Sequence, residues 1–429
     1  MLGKILARRE FVRNTILLIT GAGLSQLIPL IFSPVLTRIF TPADFGRLAF
    51  FMAVCAILSI VATGFYELSI MLPKRDVGAL NILGLIVGLS ASVSTVLFLV
   101  LLFCGELIIR ALNVPVTYGY LLLLPIGIFF SGCFQGLSYW LNRKKQYRII
   151  NYCRVWQSVI TVATSVLMGY VGFKANGLII GFLAGITVST LPLFLIMYRR
   201  RNLIRGSMMI EFAKKYRNYP GLMMPTGIMN TVATQTPVFF ITRFFSAGVV
   251  GSYSFASRIL TAPVGIISGA IGQVYFQKMA EAAKEGSSSL FRKLLVTALF
   301  LTLGSVAIFI PFIIWGEEIF GFAFGDDWRL AGTYVQVLAV AVLIKFIVSP
   351  ISTIFHVTNN LYAVSLWQGI YLCSTITIFY VFRNTEFASV LVIYAIHEVF
   401  LYALYFLLMI KASRQHDRRI ILNKTVSNF

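Results

Sequence analysis

Apolar runs long enough to cross a lipid bilayer recur from one end of the chain to the other, and this decides its fold class before any motif is read. A helix needs about 20 such residues to span the hydrocarbon core. Twelve runs qualify, near 14–36, 46–72, 79–103, 118–141, 149–171, 175–197, 221–242, 247–277, 295–316, 333–356, 361–382 and 387–410, each bounded by charges, Pro, Gly or Asn. A backbone in lipid must satisfy its own hydrogen bonds, so unbroken runs of this length become helices. The expectation is an all-α polytopic membrane protein. At 58% hydrophobic and 12% charged residues, a water-soluble globule of 429 residues is excluded. Lys4, Arg8, Arg9 and Arg13 precede the first run, which is too long for a signal-peptide core and is read as a retained helix.

A formal charge of +21 suggests nucleic acid until its placement is considered. If the N-terminus is cytoplasmic, the segments 1–13, 73–78, 142–148, 198–220, 278–294 and 411–429 lie on that side. They hold 26 of the 36 basic residues. Arg199, Arg200, Arg201 and Arg205 form one cluster, and Arg143, Lys144, Lys145 and Arg148 another. This is the positive-inside bias, so both termini are expected in the cytoplasm and nucleic acid is not an expected partner. Five cysteines without a CxxC pair argue against a disulfide framework or a zinc site and are expected as buried, inert thiols. Loops this short leave no room for a soluble catalytic domain, so function falls to the helices.

The two halves share a short repeat. Leu36-Thr37-Arg38-Ile39-Phe40-Thr41 aligns with Ile241-Thr242-Arg243-Phe244-Phe245-Ser246 at an offset of 205, which also pairs Gly46 with Gly251 and Phe50 with Phe255. Six spans per copy give both copies the same orientation, a parallel repeat about an axis along the membrane normal. The expected organisation is a six-helix lobe over 1–200, a cytoplasmic linker at 201–220 and a second lobe over 221–429. Glycines at GxxxG spacing, including Gly84/Gly88, Gly132/Gly136, Gly177/Gly181/Gly185 and Gly265/Gly269, suit close helix packing. Prolines inside the spans favour kinks. Tyr139, Trp140, Trp315 and Trp328 fall near span ends, where an interfacial belt is expected.

Ionised side chains deep in a bilayer are costly and face protein or water. Five stand out: Glu67, Arg154, Arg258, Lys345 and Glu398. Arg258 and Lys345 lie near mid-depth, and paired cations there suit an anion, above all a phosphate that a guanidinium grips with two hydrogen bonds. Pairing of either with Glu398 is the structural alternative. Arg154 is close enough to the cytoplasmic surface to snorkel or to join the binding set. Glu67 and Glu398 are candidates for ion coupling, with Glu67 also placed to counter Arg154. His397 and Glu398 diverge by about 100° around one helix, so only one faces inward squarely.

The run Leu36-Thr37-Arg38-Ile39-Phe40-Thr41-Pro42-Ala43-Asp44-Phe45-Gly46 resembles the opening of the Wzx-type polysaccharide repeat-unit flippases, the O-antigen and capsule transporters. Tyr66-Glu67-Leu68-Ser69-Ile70-Met71-Leu72-Pro73-Lys74 and Tyr253-Ser254-Phe255-Ala256-Ser257-Arg258-Ile259 are similar to further segments of that family. The resemblance implies membership of the multidrug/oligosaccharidyl-lipid/polysaccharide exporter superfamily, with two six-helix lobes around a cationic cavity in the bacterial inner membrane. It implies a transporter and not an enzyme. The cargo it implies is an undecaprenyl-diphosphate-linked oligosaccharide carried from the cytoplasmic to the periplasmic leaflet. Coupling to H+ or Na+ is implied, with no cofactor or metal. Polymerase and chain-length proteins of the same pathway are the implied partners. The family's glutamate maps onto Glu67 and its arginine onto Arg258, whereas Arg154, Lys345 and Glu398 rest on depth alone. A lipid II flippase or drug/cation antiporter of the same fold is the nearest rival reading. A membrane glycan polymerase or ligase is disfavoured because the external segments 104–117 and 317–332 are short and lack His.

Overall fold

A computed structural model gives the fold over residues 23–112, 118–285, 288–358 and 360–426. The basic segment 1–13 and the first part of the expected first span lie outside these described residues. From there on the chain is helical. After a short α1 (Ser33–Ile39) come α2 (Pro42–Thr63), α3 (Asp76–Leu112), α4 (Leu124–Arg143), α5 (Tyr147–Tyr170) and α6 (Lys174–Arg199). A connecting helix α7 (Gly206–Lys215) leads to α8 (Met224–Phe244), α9 (Ala247–Lys284), α10 (Leu290–Phe324), α11 (Arg329–Ile351), α12 (Leu361–Val381) and α13 (Phe387–Val426). Each expected span from 46–72 onward coincides with one long helix. Among the described residues nine helices are long and apolar enough to cross a membrane, so the protein is a multi-pass membrane protein. The helices α5 and α8 fall short of that standard because polar residues dilute them: Asn151, Arg154, Gln157 and Ser158 in one, Asn230, Thr231, Thr234 and Gln235 in the other. Side chains such as Phe103, Leu107, Phe300 and Phe322 point outward, as they must where lipid is the solvent.

Two compact units divide the chain, one up to Ser254 and one from Phe255. In the first unit, Leu80, Leu83 and Ile86 of α3 pack on Cys133, Leu137 and Trp140 of α4, with Leu193 of α6 closing the core. The helices α5 and α6 approach at backbone distance because Gly181 and Gly185 leave room for Ser165, Thr161 and the Gln157 carbonyl. Gly132 and Gly136 likewise take Ser90, Leu83 and Ile86 of α3 against α4, but the remaining pairs differ. Gly84 makes space for Met209 of α7, while Gly88, Gly265 and Gly269 have nothing packed against them. In the second unit, Gly316 and Gly332 bring α10 and α11 into the same close contact.

Several local expectations change. Pro34 and Pro125 open helices instead of kinking them. Trp140 and Trp328 are buried in protein packing, with Lys144 and Arg200 over the Trp140 ring. All five cysteines are free thiols, and Cys104 and Cys373 are exposed, since they lie on outward apolar faces that lipid would cover.

The motif at Thr41 has a plain physical role. Thr41 caps α2 by accepting from the Asp44 N–H, and Asp44 returns the bond to the Thr41 N–H at 3.0 Å, with Pro42 in the first turn. The second copy of the motif repeats the cap, with Ser246 accepting from the Val249 N–H at 3.4 Å at the start of α9. The two capped helices then cross at their paired glycines. A Cβ on Gly46 would collide with the Ala247 carbonyl, and one on Gly251 with the Pro42 carbonyl. Ala247 is the repeat mate of Pro42, so the contact is its own image under the 205-residue offset.

Candidate functional site

Arg258 sits on α9 and is exposed. One turn before it, Phe255 anchors the helix, its ring meeting Phe324 at 5.0 Å and Trp328 at 4.5 Å. Ser254, Thr261, Gly265 and Ser268 share its face at helical spacing, a strip of small side chains. No atom packs against Gly265, and the Ser254 and Ser268 hydroxyls have no hydrogen-bond partner. Among the described residues no carboxylate lies within ion-pair distance of Arg258. The two serine hydroxyls are buried and the Thr261 hydroxyl donates to the Ser257 carbonyl at 2.7 Å, so the group open to an oxyanion is the exposed, unpaired guanidinium itself.

Lys345 has a different setting. It forms an ion pair with Glu398 of α13, a carboxylate only 1% exposed. The Tyr371 hydroxyl donates to Glu398 Oε1 at 2.6 Å, and Lys345 Nζ lies 5.3 Å from the centre of the Tyr402 ring. Trp367 stacks on Tyr405 at 4.3 Å and donates its indole N–H to the Leu401 carbonyl at 3.2 Å, fixing α12 on α13. His397 also faces α12, with Nε2 2.8 Å from Ser374 Oγ and its ring 6.3 Å from that of Tyr371. The positive charge of Lys345 is thus met by Glu398, which leaves Arg258 as the unneutralised cation of the two near mid-depth.

In the first unit, Arg154 is half-buried on α5 without a carboxylate partner among the described residues. One turn on, the Ser158 hydroxyl bonds the Arg154 carbonyl and, at 2.6 Å, the Ser25 carbonyl. Glu67 does not pair with Arg154. The sequence puts it inside a span, but α2 ends at Thr63, and Gly64 and Phe65 both take positive φ before a 3-10 helix, Tyr66–Met71. Phe65 is driven into that rare conformation with its ring wedged against Gly227 of α8, where a Cβ would stand 2.6 Å away. Glu67 follows this turn, 4% exposed, with Oε2 unpartnered. Burial pushes its carboxyl up from the ordinary value, opposed by its own backbone N–H and the Thr63 hydroxyl.

Sequence reasoning passed over the residues that hold this turn in place. Arg143, read only as an orientation charge, donates to the Ile70, Met71 and Pro73 carbonyls at 3.0, 3.2 and 2.7 Å and pairs with Asp76 at 3.2 Å. Tyr66 donates to the Ala213 carbonyl at 3.0 Å. Asn81, fully buried, donates to the Leu203 carbonyl at 2.9 Å and accepts from the Arg205 N–H at 2.8 Å. A lone Asn entering an apolar run was the available signal. Gln135 donates to Ser59 Oγ at 3.1 Å between α4 and α2.

With this geometry established, likeness to known proteins can be weighed. A family profile described as "Polysaccharide biosynthesis protein" matches residues 35–333. The teichuronic acid biosynthesis protein TuaB of Bacillus subtilis is 22% identical over 43% of this chain, and the match spans 38% of that relative's length. Among solved structures, the lipid II flippase MurJ in an inward closed conformation is 16% identical, covering 97% of this chain and 91% of its own, with a TM-score of 0.64. An inward-facing multidrug resistance MATE family transporter of the MOP superfamily is 13% identical, covering 93% and 95%, with a TM-score of 0.63. The fold is therefore that of these transporters, and the match over most of its length makes the chain a member of the polysaccharide biosynthesis protein family.

Proposed function

We propose that this protein is a flippase that moves an undecaprenyl-diphosphate-linked oligosaccharide from the cytoplasmic to the periplasmic leaflet of a bacterial inner membrane. It would do so by alternating access, with twelve crossings, cytoplasmic termini and an ion gradient as the drive. Family membership and likeness to MurJ support the cargo class. The observation that carries the reading is Arg258, exposed and without a carboxylate partner among the described residues.

The physics of the cargo suits such a residue. A diphosphate cannot cross about 30 Å of hydrocarbon unaided, while its prenyl tail never has to leave lipid. Only the head group needs shelter, and a guanidinium offers it a fixed, always charged fork. Glu67 and the Lys345–Glu398 pair are the proposed ion-responsive groups, with Arg154 as a second contact for the substrate nearer the cytoplasm.

The test is flipping in proteoliposomes together with surface polysaccharide in cells. Arg258→Ala should lose at least about tenfold of the flipping rate at normal protein levels, and Arg258→Lys should retain part of it. Undiminished polymer from Arg258→Ala would remove the residue from the mechanism. Arg258→Glu separates the rival reading: a drug/cation antiporter would keep or gain transport, whereas an anion carrier would lose it.

A further inference from the structure

Where the chain turns back between α9 and α10, a cavity of about 610 Å³ opens at the charged ends of the two helices. It lies beyond the flippase site and plays no part in the reading above. Its lining is graded by depth. On α9 the exposed apolar Val274 and Phe276 give way to Lys278, then Glu281, then Glu285. On α10, which leads back from the turn, Arg292 and Lys293 come first and the exposed apolar Val296, Leu299 and Phe300 follow. The cavity therefore sits at the border between the lipid-facing belt and the aqueous ends.

Lys278, Arg292 and Lys293 are exposed and have no carboxylate within ion-pair distance among the described residues. Tyr275, 5% exposed, lines the inner end of the cavity, and its buried hydroxyl has no hydrogen-bond partner. Glu281, which also accepts from Gln277 Nε2 at 2.9 Å, and Glu285 lie farther out. From Lys278 the rise along the helix is about 4.5 Å to Glu281 and about 10.5 Å to Glu285. Going outward from the belt, the lining passes from the Tyr275 hydroxyl to Lys278 and then to a rim of both signs, with Arg292 and Lys293 about 3–4.5 Å from the start of α10 and Glu281 about 4.5 Å from the end of α9.

We infer that this cavity binds the head group of an ethanolamine phospholipid. In such a lipid the glycerol esters lie next to the acyl chains, the phosphate comes next, and a primary ammonium follows two carbons farther out. Tyr275 would meet the ester region, Lys278, Arg292 and Lys293 the phosphate, and Glu281 with Glu285 the ammonium. The acyl chains would run down the exposed strip of Val296, Leu299 and Phe300. A plain anionic head group would match the cations and leave the carboxylates opposed to its charge. A choline head group cannot donate hydrogen bonds to them.

Native mass spectrometry of the delipidated full-length protein, titrated with phosphatidylethanolamine, phosphatidylglycerol or phosphatidylcholine, tests the assignment. Phosphatidylethanolamine should bind most tightly. The Arg292→Ala/Lys293→Ala variant should weaken it by about fivefold per charge removed. The Glu281→Gln/Glu285→Gln variant should erase the preference over phosphatidylglycerol while keeping phosphatidylglycerol bound. Tyr275→Phe, which preserves the packed ring, should lower affinity by about threefold and serves where a charge variant is poorly folded. Equal or tighter binding of phosphatidylglycerol or phosphatidylcholine to the unmodified protein would overturn the inference. So would displacement by inorganic phosphate at the lipid's own concentration, or binding indifferent to Arg292, Lys293 and Tyr275.

Discussion

A buried carboxylate is expensive in a low-dielectric interior, and the Lys345–Glu398 pair shows how a partly exposed ammonium offsets that cost. Glu398 is enclosed by Tyr371, Lys345 and the stacked rings of α12 and α13, so deleting only its partner strands a charge. Lys345→Met should cost about 3–5 kcal/mol, and Lys345→Met with Glu398→Gln much less. Thermal unfolding of the purified variants measures both, and equal destabilisation by the single and double variants would contradict the pairing. Glu67 carries an opposite lesson in pH. Its raised folded-state pKa means that the stability it contributes is complete below the unfolded value and declines as pH climbs through the folded one. Glu67→Gln should therefore match the wild type in acid and exceed it in stability at higher pH. If Glu67 also couples a proton, the same variant should flatten the pH profile of flipping.

At the scale of elements, the connecting helix α7 is fastened rather than loose. Phe212 and Met209 settle over Gly78 and Gly84 of α3, and Asn81 holds the strand of chain that leads into it. Asn81→Ala would leave the Leu203 carbonyl and the Arg205 N–H without their partner, a loss of about 1–3 kcal/mol. Faster tryptic cleavage at Arg201 and Arg205 should report the release. The sequence shows 198–220 as a basic stretch between apolar runs and nothing more, because a long-range partner such as Asn81 leaves no periodic trace. Apolar periodicity announces that a span exists and how long it is. It is silent on which glycines meet a backbone, and so Gly181/Gly185 and Gly265/Gly269 read alike although only the first pair is packed. It is equally silent on the early end of α2, since Tyr66, Ile70 and Met71 stay apolar while the backbone leaves the helix.

For the whole molecule, the proposed orientation rests on charge placement, because the cost of moving Lys and Arg across a bilayer biases them to the cytoplasmic loops. A reporter fused after residue 210 should accordingly register the cytoplasm, and an external signal would reverse the proposed orientation. The internal repeat was legible too, though only as a few matched letters. In the fold those letters are a cap made twice and one glycine crossing to which each copy gives a half. That crossing ties the fates of two distant codons together: neither Gly46 nor Gly251 can gain even a methyl group while its counterpart's helix stays put. A larger residue at either site is shut out by the backbone that the other one carries, so the two halves hold this spot in common custody.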